Sequence, residues 1–126
     1  MDKDGNEAVR LYRVSANQGN CGAQCILGTY YQRASDVNEA VRLYRLSANQ
    51  GCSNAQNFLG QCYENGEGVD KDVNEAVRLY RLSAQQGNTI AQNNLGMCYR
   101  DGEGVDQDLN EAVGLFRLSA NQGCSN

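Results

Sequence analysis

One octapeptide decides most of what this chain can fold into. NEAVRLYR stands at Asn6–Arg13, Asn38–Arg45 and Asn74–Arg81, and it returns as NEAVGLFR at Asn110–Arg117. The offsets are 32, 36 and 36 residues. A second string alternates with it: AQNFLGQCY at Ala55–Tyr63, AQNNLGMCY at Ala91–Tyr99 and the looser AQCILGTYY at Ala23–Tyr31. Self-similarity at such a period marks an array in which each unit buries its apolar face against its neighbours. Counting from the recurring Gly gives a partial unit 1–18, units 19–50, 51–86 and 87–122, and a stub 123–126. The repeat therefore spans the chain as a single array.

Each unit carries two helical stripes. Ala55, Phe58, Leu59, Cys62 and Tyr63 fall at i, i+3, i+4, i+7 and i+8, and so do Ala40, Leu43, Tyr44, Ser47 and Ala48. That spacing puts apolar or small side chains on one face of a helix. The AQ-x2-LG string defines a first-type helix and the NEAV string a second-type helix. Asp36, Asp72 and Asp108 each precede a Glu by three residues, as in a capping box. Gly51, Gly87 and Gly123 follow the second stripe, where a left-handed cap needs Gly. Short connections then make neighbouring helices antiparallel. The expected fold is all-α, a solenoid of about seven helices with period 36 and one unit of 32.

The pattern A-x3-LG-x2-Y-x2-G-x-GV-x2-D, followed by A-x2-LY-x2-SA-x2-G, resembles the Sel-one-like repeat family, a tetratricopeptide-like helical solenoid. In the unit beginning at Gly51 the likeness rests on Ala55, Leu59, Gly60, Tyr63, Gly66, Gly68, Val69, Asp72, Ala76, Tyr80, Ala84 and Gly87. The resemblance implies a right-handed superhelix of stacked helix pairs and a role as a protein-interaction scaffold. Three departures stand out. Unit 19–50 lacks the four residues that carry the Gly-x-Gly-Val loop elsewhere. Val14, Leu46, Leu82 and Leu118 occupy a position that is usually polar in the family. The chain also begins with a second-type helix and ends just after one, like a piece of a longer array.

Composition narrows the chemistry. The chain has no His, which excludes Ser–His and Cys–His nucleophile pairs and imidazole zinc sites. Its net charge of −4 argues against nucleic acid as a partner. No apolar run reaches the roughly 20 residues that span a bilayer, so no membrane insertion is expected, and the charged N-terminus has no apolar signal core.

Six cysteines invite a disulfide framework. In the family's cysteine-rich branch, which is linked to β-lactam binding, the paired positions match Ala48 and Gln56, or Ala84 and Gln92, and none of these is Cys here. Cys62 and Cys98 are equivalent positions, and stacked hairpins about 9–10 Å apart exceed disulfide reach. Reduced thiols and a cytoplasmic setting are expected. Cys21 and Cys25, four residues apart, lack further converging metal ligands.

The Asp-x-Asp-x-Asn strings at Asp2, Asp70 and Asp106 mimic the start of a calcium loop. They then place Glu where Gly belongs and Arg where the bidentate Glu belongs. Gly66-x-Gly68 and Gly102-x-Gly104 lack the rest of a phosphate-binding signature and read as turn glycines. Arg10, Arg13, Arg42, Arg45, Arg78, Arg81 and Arg117 form a column that Glu at i−3 partly neutralises.

Opposite the apolar stripe of the first-type helices lies an amide-rich set: Gln24 and Thr29; Gln56, Asn57, Gln61 and Glu64; Gln92, Asn93, Met97 and Arg100. Amides donate and accept, which suits the backbone of an extended peptide. The leading reading is a noncatalytic scaffold that binds a protein or peptide segment in its concave groove, with no metal or cofactor. The alternatives are a stacking segment of a longer solenoid and, by the resemblance alone, a β-lactam-binding or hydrolysing enzyme. Repeat faces at both ends (Leu11 and Tyr12; Leu115 and Phe116) further suggest end-to-end self-association.

Overall fold

A computed structural model describes residues 3–124, with side chains from residue 7 to residue 122. The described residues form seven helices and no strand: α1 (Lys3–Asn17), α2 (Cys21–Arg33), α3 (Val37–Asn49), α4 (Ser53–Asn65), α5 (Val73–Gln85), α6 (Thr89–Asp101) and α7 (Leu109–Cys124). Each helix packs chiefly on the helices before and after it in sequence, which is the contact pattern of a solenoid. The even-numbered helices are first-type and the odd-numbered ones second-type.

The helix ends follow local rules. Asp36, Asp72 and Asp108 accept hydrogen bonds from the backbone N–H of Glu39, Glu75 and Glu111 at 3.4, 3.1 and 3.0 Å. Asn20 and Asn88 cap α2 and α6 in the same way, through Ala23 and Ala91, each at 2.9 Å. Gly19, Gly51 and Gly87 leave the second-type helices at φ of +92°, +92° and +90°. Gly123, expected to do the same, instead lies within the bounds of α7.

The stripe of the second-type helices is buried as its spacing requires: Ala40, Leu43, Tyr44, Ser47 and Ala48 are all core residues of α3. What seats them is a glycine on the facing helix. A Cβ built on Gly28 would lie 2.6 Å from the Tyr44 ring. On Gly60 it would lie 2.8 Å from Tyr80, and on Gly96 2.8 Å from Phe116. Each ring therefore lies directly on bare helical backbone, and Tyr44 and Tyr80 have no exposed surface.

The hairpin loops differ as the sequence spacing demands. In the longer units Gly66 and Gly102 cap α4 and α6 in the left-handed region. Gly68 and Gly104 then press onto the preceding second-type helix, where a Cβ would meet the carbonyls of Val37 and Val73 at 2.9 and 2.7 Å. The short unit has no such loop. It turns through Ala34 and Ser35, and Ser35 is forced to φ +68°. Tyr30 in this unit is exposed, whereas Cys62 and Cys98 at the same position in the longer units are buried.

Gly60→Ala is expected to destabilise the protein by about 1–3 kcal/mol, because the added methyl overlaps a buried ring. Gly114→Ala, mid-helix in α7 with nothing within 4 Å of its Cβ, should stabilise by about 0.5–1 kcal/mol through helix propensity alone. Urea unfolding of both variants reads the two signs.

Candidate interaction surface

An inner first-type helix has neighbours on several sides, and this decides where its polar residues go. Gln24, Gln56 and Gln92 are buried. Each donates its Nε2 to a backbone carbonyl of the preceding second-type helix: Gln24 to Ala16 at 3.1 Å, Gln56 to Ala48 at 3.5 Å and Gln92 to Ala84 at 3.2 Å. Gln50 and Gln86 in turn donate to the Oε1 of Gln24 and Gln56, both at 2.8 Å. One glutamine thus ties three consecutive helices together. Gln92 Oε1 is buried without a hydrogen-bond partner among the described residues. Asn57 is 1% exposed and accepts from Asn94 Nδ2 at 2.8 Å, joining α4 to α6. The expectation that Gln24, Gln56, Asn57 and Gln92 face a groove is corrected. These amides sit in the seams between helices, where a buried polar group requires a partner.

The other members of the set divide. Glu64 accepts from the Tyr80 hydroxyl at 2.5 Å, and its counterpart Gln32 accepts from Tyr44 at 2.8 Å. Burial pushes the Tyr44 hydroxyl up to about 12 and raises that of Tyr80 further, so both stay protonated as donors. In the last unit Phe116 has no hydroxyl, and the acceptor is replaced by Arg100, which pairs with Asp101 at 3.0 Å. Thr29 is half-buried and returns its hydroxyl to the Cys25 carbonyl at 3.2 Å. Gln61 is half-buried, and Asn93 and Met97 are exposed.

Thr29, Gln61 and Met97 are equivalent positions on α2, α4 and α6, as are Ile26, Phe58 and Asn94. Ile26 is exposed and Phe58 half-buried. These apolar neighbours form part of an exposed face that the amide-based reading did not include. The signal was available: they lie one helical turn from residues already singled out.

The opposite side of the solenoid is charged. Glu7–Arg10, Glu39–Arg42 and Glu75–Arg78 pair within their own helices. Arg13 bonds the Tyr31 hydroxyl, Arg45 that of Tyr63 at 3.1 Å and Arg81 that of Tyr99 at 2.8 Å, so part of the arginine column ties one unit to the next. Between these rows Val14, Leu46, Leu82 and Leu118 are exposed, one per second-type helix.

The cysteines require a correction too. Cys21 and Cys52 form a disulfide, with Cα atoms 6.5 Å apart. They are not equivalent positions: Cys21 is the first residue of α2, whereas Cys52 is the N-cap of α4, where Asn20 and Asn88 stand in the neighbouring units. That one-residue offset brings the start of one first-type helix within reach of the start of the next. The price is a cap, since Cys52 makes no side-chain capping bond. At the next junction Asn88 Nδ2 spans the same gap to Asn54 at 2.8 Å. Cys25, Cys62 and Cys98 are buried free thiols, pushed by desolvation up to about 11, 11 and 12. The Cys124 side chain lies outside the described residues. Among the described residues no cluster of three potential metal ligands occurs, and no helix is long and apolar enough to cross a membrane.

A stack of helical hairpins locked by glycine–ring contacts and a glutamine ladder is an α-solenoid of the tetratricopeptide type. Comparison with known families is specific: the Sel1 repeat matches residues 1–20, 22–52, 53–88 and 89–124, and the chain belongs to that family. Proteins of Sel1 repeats are in general noncatalytic interaction scaffolds.

Among solved structures the chain is similar to c5321, described as a protective antigen present in uropathogenic Escherichia coli strains. The two are 39% identical with a TM-score of 0.87, over 91% of this chain and 26% of that one. The chain thus spans about a quarter of that protein. It is also similar to a Sel1 repeat protein from Oxalobacter formigenes, 33% identical with a TM-score of 0.86, over 90% of both chains. It shares its fold with Helicobacter pylori cysteine rich protein B, at 24% identity and a TM-score of 0.72, over 96% of this chain and 90% of that one. No functionally curated protein matches.

Non-reducing peptide mapping should recover Cys21 linked to Cys52. Cys25, Cys62 and Cys98 should resist alkylation at pH 8 until the protein is unfolded, because their thiolates are scarce and enclosed. Reduction should lower stability by about 3–4 kcal/mol for a loop of this length.

Proposed function

We propose that the chain is a protein-binding module that takes an extended partner segment along the exposed face of its first-type helices. The observation that carries this reading is the row Thr29, Gln61 and Met97 beside Ile26, Phe58 and Asn94. It gives each of three successive helices one amide or hydroxyl and at least one apolar side chain left partly or fully outside the core. In a tetratricopeptide-like stack this is the concave side. Apolar pockets spaced by the repeat hold alternate side chains of a ligand, and the amides of Gln61 and Asn94 meet its backbone. Asn93 and Arg100 border the row on α6, and Glu64 borders it on α4. Binding by this surface needs no cofactor and no catalytic group.

Self-association by the ends is a second reading, favoured by the exposure of Leu11 and Tyr12 on α1 and of Val113 on α7, whose counterparts Leu43, Tyr44 and Val41 in α3 are buried. A second copy covering either face would bury apolar surface that the described chain leaves in solvent.

Panning a random peptide library against the protein tests the first reading. Selected ligands are expected to lose at least tenfold in affinity to Ile26→Ser/Gln61→Ala and to Met97→Ser, with helicity unchanged. Ligands insensitive to both variants would overturn it. Sedimentation equilibrium tests the second, with mass rising with concentration expected and a strict monomer at millimolar protein refuting it.

A further inference from the structure

Besides Phe116, the last unit departs from its siblings at an exposed place on the opposite, second-type side. Where the earlier helices carry Arg10, Arg42 and Arg78, α7 carries Gly114. Nothing about packing requires a glycine there, since a Cβ would meet open space. A glycine inside a helix costs about 1 kcal/mol relative to alanine. Its effect is on the carboxylate one turn earlier. Glu39 and Glu75 hold their arginines in two-pronged contacts; for Glu75 these are Arg78 Nε to Oε1 at 2.9 Å and Arg78 Nη2 to Oε2 at 2.6 Å. Glu111, in the same position, has no guanidinium three residues on in its own helix.

The spaces between the helices differ as well. Between α1, α2 and α3 lies a cleft of about 160 Å3, lined by Arg13, Leu27, Tyr31, Glu39, Arg42 and Leu43 among others. Its counterpart between α5, α6 and α7 is about 280 Å3, with Arg81, Leu95, Tyr99, Glu111, Leu115 and Leu118 in its walls; Gly114, at the position of Arg42, contributes no wall to it. Gln92 lines the same cleft. It is 3% exposed, and its Oε1 is the buried acceptor without a partner among the described residues. The cleft thus offers a free carboxylate from the first turn of α7 and an unused carbonyl oxygen from the first turn of α6. Leu95, Leu115 and Leu118 lie between them. Because α6 and α7 run antiparallel, the two acceptors sit toward opposite ends, roughly two helical turns or 10 Å apart.

We propose that this cleft is a docking site for an arginine side chain of a partner polypeptide. The incoming guanidinium occupies the place that Arg78 fills beside Glu75 and forks onto Glu111. Its aliphatic stem lies on Leu115 and Leu118, and a backbone N–H of the partner segment satisfies Gln92 Oε1. Arginine fits better than lysine because the chain's own pairs show that a carboxylate at this position takes a planar fork. Arg81, a cation in the wall of the cleft, donates to the Tyr99 hydroxyl at 2.8 Å. This surface is separate from the first-type face, so neither assignment depends on the other.

The probes are capped pentapeptides, Gly-Leu-Xaa-Leu-Gly, in which Xaa is arginine or its neutral isostere citrulline, titrated into the isotope-labelled full chain by NMR. The arginine peptide is expected to shift the resonances of Gln92, Leu115 and Leu118 and to bind roughly fivefold tighter than the citrulline peptide, the scale of one partly exposed charge pair. Gly114→Arg restores the internal pair, fills the cleft and should abolish those shifts without lowering the melting temperature. Glu111→Gln should reduce arginine to the level of citrulline. Equal binding of the two peptides, unchanged binding in Gly114→Arg, or no shift with either peptide at millimolar concentration would each overturn the assignment.

Discussion

The seating of an aromatic ring on a glycine is the contact on which the rest of this solenoid depends. Gly28, Gly60 and Gly96 let Tyr44, Tyr80 and Phe116 approach the facing helix backbone as no other residue would permit. The distance between the two helices of a hairpin follows from that contact. Once it is set, Ser47, Ser83 and Ser119 reach the carbonyls of Cys21, Ser53 and Thr89 at 2.8, 2.7 and 3.1 Å. The hydroxyls of Tyr44 and Tyr80 emerge where Gln32 and Glu64 can receive them. The ring and its polar tip form one device, as the last unit shows: losing the hydroxyl at Phe116 coincides with losing the acceptor at position 100.

The joint between units works differently. It adds directed bonds to an apolar core that runs on from one unit to the next, Tyr44 and Ala48 sharing a cluster with Ala55, Leu59 and Leu79: the glutamine ladder, the Arg–Tyr pairs, and the Gly68 and Gly104 loops that press on the helix before them. Such bonds are sensitive to angle as well as distance. They therefore define the turn from one unit to the next, and with it the line along which the exposed residues of successive helices are presented.

Much of this was legible in the sequence. Helix number, both stripes, the Asp caps and the turn glycines obey rules that act within a few residues, and the repeat multiplies each signal. The fate of Asn57 was not legible, because periodicity along one helix tells which residues share a face but not how many neighbours cover it. Asn57 and Asn93 occupy the same position, yet one is buried against α6 and the other is exposed. The disulfide was missed for a related reason. The spacing argument compares equivalent positions on parallel axes, whereas Cys21 and Cys52 are offset by one residue at converging helix starts. Arg100 and Gly114 could be read as departures from the repeat, but their meaning came only with the tyrosine acceptor and the cleft.

The equal length and close similarity of units 51–86 and 87–122 have a consequence for how such a chain changes over generations. The face that α4 and α5 present forward is almost the one that α6 and α7 present forward, so a further copy of 36 residues inserted after Gln86 would meet a compatible surface on each side. Length is the property this architecture constrains least. The irregular features act as fixed landmarks in it: the short hairpin and the Cys21–Cys52 bond near one end, and the Phe116–Arg100 substitution near the other. Duplication between them would lengthen the array without disturbing either.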